Sequence, residues 1–113
     1  MKTYKLEDVI RPTTIIRSPR LEKALGLDIT IASETFQYTG SFKFRAAYSV
    51  ASNVSNNHLI KASSGNFGQA LAYACQLLKK RCVVVMPTTS ACVKIDAVID
   101  YGAEVELLDV AKK

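Results

Sequence analysis

Beyond residue 40 the apolar and polar positions form a regular succession. "SFKFRAAYSVASN" (41–53) has apolar residues at helical spacing and predicts a helix. "HLIKA" (58–62) predicts a strand, and "NFGQALAYACQLLKK" (66–80) a second helix. "RCVVVMP" (81–87) is a strand whose middle is wholly apolar, the mark of an interior strand covered on both faces. "SACVKIDAVIDYG" (90–102) is a helix stopped by Gly102, and "AEVELLD" (103–109) a last strand. Strands recur with helices between them, and each connection is long enough for a parallel crossover. The pattern predicts an α/β layer of right-handed βαβ units with a parallel sheet.

The first 26 residues read as a polar arm with one short helix, "SPRLEKALG". Ser18 is placed to cap it, Pro19 suits its first position and Gly26 stops it. "LDITIAS" (27–33) alternates well enough for a short strand. Two units follow from this division: an arm with the first helix (1–52) and a small α/β unit (53–113). The pattern stops just after a strand, which leaves a sheet edge in need of another element. The expectation is an incomplete architecture.

On a wheel of residues 42–54, Ala46, Ala47, Val50, Ala51 and Val54 share a face with Lys43 near its middle. Arg45, Ser49, Ser52 and Asn53 form the opposite face. This places Lys43 on the buried side and Arg45 in solvent. Burial and the positive end of the helix dipole both disfavour an ammonium there. A neutral, nucleophilic amine of this kind suits imine formation with an aldehyde.

Composition changes this picture little. The 113 residues are 49% apolar and 22% charged, which is ordinary for a globular domain. No apolar run approaches the ~20 residues that span a bilayer, and the start lacks a signal-peptide core. A cytoplasmic protein without a membrane partner is expected. The net charge is +5, but the basic residues are scattered from Lys2 to the Lys112–Lys113 tail, against a nucleic-acid surface. Those at 79–81 end a helix, where cations suit the dipole. Cys75, Cys82 and Cys92 read as small buried hydrophobes. With the lone His58 they give no metal-ligand spacing.

"SETFQYTGSFK" and "TGSFKFRAA" resemble the lysine motif of fold-type II pyridoxal-phosphate enzymes. "ASSGNFGQALAYAC" resembles that family's Ser-Ser-Gly-Asn loop and following helix, and "VVVMPTTSACVKIDAVIDYGAEV" its Met-Pro, helix-lysine, Gly-Ala-Glu-Val segment. The blocks, in order, cover most of residues 11–108, and their detail looks most like the serine racemase and serine/threonine dehydratase branch. The fold implied is the tryptophan synthase beta-like architecture, in part.

The resemblance implies that pyridoxal phosphate is carried by Lys43, which later moves the substrate's α-proton. Phe42 would lie against the pyridine ring and Asn66 would bond its 3-oxygen. Ser63, Ser64, Gly65 and Asn66 would face the substrate carboxylate, with Ser64 as acid/base on the opposite ring face. Backbone physics agrees at this loop, because free N–H groups at a helix start favour an anion. A helix-capping turn would use the same residue types.

The chain departs from the family pattern at Phe67, where a histidine is usual; its place on a stripe with Leu71, Ala74 and Leu78 assigns it to packing. Ala46 stands for a glycine, Thr14 for a proline and Ala32 for a lysine. The family's glycine-rich phosphate loop has no counterpart, for the five glycines are all separate. The implied activity is an ammonia-lyase converting L-serine or L-threonine to a 2-oxo acid and ammonia, weak or absent in this chain alone. The implied partners are a small amino acid and either a second copy or a missing C-terminal half. The alternatives are a non-catalytic remnant or split-chain subunit, β-replacement as in cysteine synthase, and a plain structural module.

Overall fold

The computed structural model describes residues 5–110; the Lys112–Lys113 tail and Lys2 lie outside them. The N-terminal part holds α1 (Leu6–Val9), β1 (Thr14–Ile16), α2 (Pro19–Leu25) and β2 (Ile31–Ser33). Strands β1 and β2 pair antiparallel, with Ile15 opposite Ala32. As predicted, Ser18 Oγ accepts from the Leu21 amide at 3.3 Å, Pro19 opens α2, and Gly26 ends it at φ 66°. Elements as short as α1 and β1 contain little more than one period of pattern, so periodicity does not reveal them.

The remainder is α3 (Lys43–Asn53), β3 (His58–Ala62), α4 (Asn66–Leu78), β4 (Arg81–Pro87), α5 (Cys92–Asp100) and β5 (Glu104–Leu108). The three strands form a parallel sheet in the order β3-β4-β5, with Ile60 beside Val83 and Val84 beside Val105. The α/β reading and its βαβ units therefore hold.

One expectation fails. Strand β4 is interior but covered on one face only. Cys82, Val84 and Met86 are buried, while Val83 and Val85 between them are half-exposed. The reason is topological: strand order follows the chain, and right-handed crossovers then put α4 and α5 on the same side. Helix α3 packs along α4 and completes the layer. Gly68 permits close approach here, since a Cβ would meet Val84 Cγ1 at 3.0 Å and Ser63 Cβ at 3.3 Å.

The face of α3 also differs from the wheel. Its buried residues are Phe44, Ala47, Tyr48 and Ala51; Ala46 and Val50 are exposed, and Lys43 and Arg45 are each half-buried. Two aromatic rings decide the orientation, because each removes far more apolar area from water than an alanine or valine. Phe44 lies 5.4 Å from the Tyr73 ring and 5.6 Å from Tyr38.

Helices α3 and α4 run parallel. Phe44 meets Tyr73 near the front, and at the back Lys80 Nζ donates to the Ala51 and Val54 carbonyls, both at 2.6 Å. The cation at the end of α4 thus satisfies the carbonyl end of its neighbour. Cys75 and Cys82 are buried as expected, but Cys92, at the start of α5, is exposed.

Candidate active site

Lys43 opens α3, and the turn before it sets its position. Thr39 and Gly40 take φ of 62° and 72°, two successive left-handed residues that swing the chain into the helix. For β-branched Thr39 this is a strained conformation. Its hydroxyl is buried and has no partner among the described residues. Ser41 Oγ then accepts from the Lys43 amide at 3.3 Å. The Lys43 Nζ stands 4.7 Å from the centroid of the Phe42 ring, which is 62% exposed.

A polar clasp fixes this turn from behind. Buried Gln37 accepts from the Arg11 amide at 2.8 Å and donates Nε2 to the Arg11 carbonyl at 2.7 Å. Gln37 Nε2 also donates to Glu34 Oε2 at 3.0 Å, and Arg45 Nε donates to the same oxygen at 2.9 Å. Thr13 Oγ1 donates to Glu34 and accepts from Arg45 Nη2 at 2.7 Å. So Arg45, which the wheel assigned to solvent, ties α3 to the arm, and the arm sets the angle at which Lys43 is presented.

The clasp predicts an acid response. Hydrogen bonds from Arg45, then Thr13 and Gln37, lower the Glu34 pKa from 4.5 to about 2. A carboxylate lowered on folding stabilises the fold fully above its unfolded value. That contribution is lost as pH falls from 4.5 toward 2. Urea melts should show wild-type stability declining through this window. Glu34→Gln should lose about 2 kcal/mol at pH 7 and vary less between pH 4.5 and 2.

The serine loop joins β3 to α4. The Ser63 amide donates to the Val85 carbonyl at 3.0 Å, extending the ladder beyond β3. Ser63 Oγ accepts from the Gly65 and Gly68 amides at 3.4 and 3.0 Å. Both lone pairs are thereby used, and the O–H proton is left to donate outward. Ser64 is exposed, Gly65 precedes the first turn of α4, and exposed Asn66 begins it. Ser63 and Ser64 line an open cleft of about 460 Å³ with Val85, Met86, Pro87 and Leu108. The cleft lies at the carboxyl ends of the strands, where open α/β sheets bind ligands.

The structure separates the sequence-predicted residues into two groups at one end of the helix layer. Lys43 and Phe42 begin α3; Ser63, Ser64, Gly65 and Asn66 form the approach to α4.

The wheel did not foresee the clasp; Lys94, the lysine of the segment at 83–105, has its Nζ 3.5 Å from where a Gly65 Cβ would be, a proximity the motif did not disclose. The signal for Lys94 was its place in the first turn of a helix, where a cation is out of keeping with the dipole. Phe67 is half-buried and packs against the core beside Leu71. A smaller cavity of about 210 Å³, lined by Asp8, Val9, Tyr38, Tyr48, Tyr73 and Leu77, holds none of the predicted site residues. Among the described residues no three His, Cys, Asp or Glu side chains gather as metal ligands. No described helix is long and apolar enough to cross a membrane.

Comparison with known proteins adds an independent finding. Residues 6–112 match the family model described as pyridoxal-phosphate dependent enzyme. The chain is 34% identical over 105 residues to serine racemase of Dictyostelium discoideum, covering 89% of this chain and 32% of that protein. To an L-threo-3-hydroxyaspartate ammonia-lyase of a Pseudomonas species it is 35% identical over 109 residues, 93% of this chain and 34% of the relative. The solved structure of processed threonine deaminase isoform 2 from Solanum lycopersicum superposes with a TM-score of 0.83 at 37% identity. That match covers 92% of this chain and 32% of the other. The chain thus spans about a third of the length of these relatives.

Proposed function

Because the chain belongs to the pyridoxal-phosphate-dependent enzyme family, we propose that it supplies the lysine and the serine loop of an amino-acid ammonia-lyase. The reaction is loss of the β-hydroxyl of L-serine or L-threonine, ending in a 2-oxo acid and ammonia. The supporting observation is the position of Lys43. A primary amine opens a helix against an exposed aromatic ring, 4.7 Å away, at the same end of the layer as the serine loop.

These residues fit the aldehyde end of the cofactor. Phe42 offers an uncovered flat apolar face beside the amine, against which a pyridine ring can lie. Pyridoxal phosphate, when bound, supplies a carbonyl for amine capture and a ring that withdraws electrons. The phosphate's seat is not among these residues.

Each residue then has a task. Lys43 would hold the cofactor and would move the substrate's α-proton. The clasp of Arg11, Glu34, Gln37 and Arg45 keeps its helix at a constant angle, and such fixed orientation lowers the barrier. Ser63 directs its O–H toward the carboxylate while its oxygen holds the turn. Gly65 lets the carboxylate approach the backbone. Asn66 would bond the ring oxygen, and exposed Ser64 would serve as acid or base.

The remaining two-thirds of the family's length is the partner this reading requires. Ile60, Ala62, Val83 and Val85 present an apolar strip on the sheet face that carries no helix. We assign that strip to the rest of the enzyme, on the same or a second polypeptide.

The test joins residues 1–110 to the remaining two-thirds of the Dictyostelium serine racemase and assays 2-oxo acid with L-serine and L-threonine. The expected result is cofactor-dependent 2-oxo acid from the chimera and little or none from the chain alone. A chimera that binds cofactor but incorporates sulfide, and releases no 2-oxo acid, would replace elimination by β-replacement. One that binds no cofactor would leave the chain a non-catalytic remnant.

A further inference from the structure

Two thiols meet in the core at the end of α4 remote from the serine loop. Cys75 lies on the buried face of that helix, and Cys82 on the buried side of β4. They are 1% and 3% exposed, and the Cys82 thiol donates a hydrogen bond to the Cys75 sulfur. The chain between them turns tightly. The Lys80 amide donates to the Cys75 carbonyl at 2.8 Å and the Lys79 amide to that of Gln76 at 3.3 Å, which closes α4 as a Schellman turn. Lys79 takes the left-handed seat at φ 55°, where glycine is the usual residue. A Cβ in that seat is strained, so this turn opens more readily than the helix before it. Gln76, Leu77, Lys79 and Arg81 around it are exposed, and a small oxidant needs only that opening to reach the pair.

The two sulfurs differ in character. The hydrogen bond from Cys82, aided by the Lys80 ammonium, draws the Cys75 thiol below its ordinary pKa against the opposing effect of burial. Donating that bond, together with burial, pushes the Cys82 thiol up. A lowered pKa raises the share of thiolate, which is the reactive form. The turn also has a second duty. From within it, Lys80 Nζ donates to the Ala51 and Val54 carbonyls, both at 2.6 Å, and so braces the end of α3, the helix that Lys43 opens.

We infer that Cys75 and Cys82 are a redox pair that hydrogen peroxide converts to a reversible disulfide, locking the α4–β4 turn and the Lys80 brace on α3. The Cys75 thiolate attacks one peroxide oxygen. A sulfur–oxygen bond forms, the oxygen–oxygen bond breaks, and the departing hydroxide takes up a proton to become water. The Cys82 sulfur then displaces the sulfenic oxygen, which leaves as a second water carrying the Cys82 proton. In balance, two thiols and one peroxide give one disulfide and two waters; sulfur is oxidised and peroxide oxygen reduced. A thiol reductant reverses the link by exchange. The pair is remote from the serine loop, so the inference stands apart from the lyase reading.

The test treats the folded chain with hydrogen peroxide, alkylates the remaining thiols after unfolding and maps the peptides by mass spectrometry. In wild type, Cys75 and Cys82 should be joined to each other, and dithiothreitol should restore both. Exposed Cys92 should stay outside the link, so Cys92→Ser should form it as wild type does. Hydrogen exchange of the Lys80 amide should slow about tenfold in the oxidised chain, because the link restrains opening of the turn. Cys82→Ala should leave Cys75 as a sulfenic acid that dimedone captures, whereas Cys75→Ala should leave Cys82 a free thiol. The wild-type map decides the question even where a core variant fails to fold. Oxidation of Cys92 while Cys75 and Cys82 both remain open to alkylation would overturn the inference, as would a link from either of them to Cys92. A linked chain whose Lys80 amide exchanges as fast as in the reduced chain would overturn the locking of the turn.

Discussion

Lys43→Ala is expected to abolish covalent capture of pyridoxal phosphate, and to lower turnover by a completed enzyme on the order of 1,000-fold or more. The nucleophile is the one group for which no neighbour substitutes. Among the described lysines, Lys43 alone opens a helix with its amine beside an exposed ring at 4.7 Å. Lys61 lies against half-buried Phe67, and Lys80 is committed to two carbonyls. Lys43→Arg separates chemistry from charge, for it keeps the cation and removes the nucleophile. Both variants should keep the wild-type melting temperature, since the Lys43 side chain is half-buried and joins none of the described ion pairs. Absorbance of the bound cofactor and 2-oxo acid release measure the two losses. Capture by Lys43→Ala at the wild-type level would remove the lysine from the account.

The second large effect is structural. Phe44→Ala should destabilise the chain by about 3–5 kcal/mol, a large share of the 5–15 kcal/mol typical of a whole domain. Phe44 is fully buried and meets the rings of Tyr38, Tyr48 and Tyr73 at 5.6, 5.9 and 5.4 Å. Its loss would leave a cavity where α3 joins α4, one residue from Lys43. Phe44→Leu, which refills most of that volume, should cost less than half as much. Val50→Ala, on the exposed side of the same helix, should fall within about 0.5 kcal/mol of wild type. Urea denaturation orders the three. A Val50→Ala loss as large as that of Phe44→Ala would favour the face drawn from the sequence over the one in the structure.

Those two α3 faces show why part of the fold was legible and part was not. The strands at 58–62 and 81–87 appear at their predicted limits: the first lies between the polar run 55–57 and Ser63, and the second carries a wholly apolar middle that ends at Pro87. The caps of α2 were legible for the same local reason: Ser, Pro and Gly each act within one turn. Orientation of a helix is a tertiary property. Small apolar residues and a stem of lysine gave the wheel one stripe, and two aromatic rings turned it toward another. Coverage of the sheet escaped similarly, since a valine run cannot tell one covered face from two.

The candidate site was legible as motifs and not as geometry. Lys43 and residues 63–66 stood out by residue type, and the parallel course of α3 and α4 places both groups at one end. What spacing could not disclose is the company each keeps over long separations. Glu34, Gln37 and Arg45 meet Arg11 and Thr13 through contacts 25 or more residues apart in three of the bonds. Lys94 comes near Gly65 with α4 and β4 between them in the chain. Such contacts depend on the fold and leave no periodic trace in the chain.

The most direct measurement is to add pyridoxal phosphate, reduce with borohydride and map the modified peptide by mass spectrometry. The account predicts one dominant adduct, on Lys43. An adduct concentrated on Lys61, Lys94 or another lysine, or none at all on a folded chain, would contradict it.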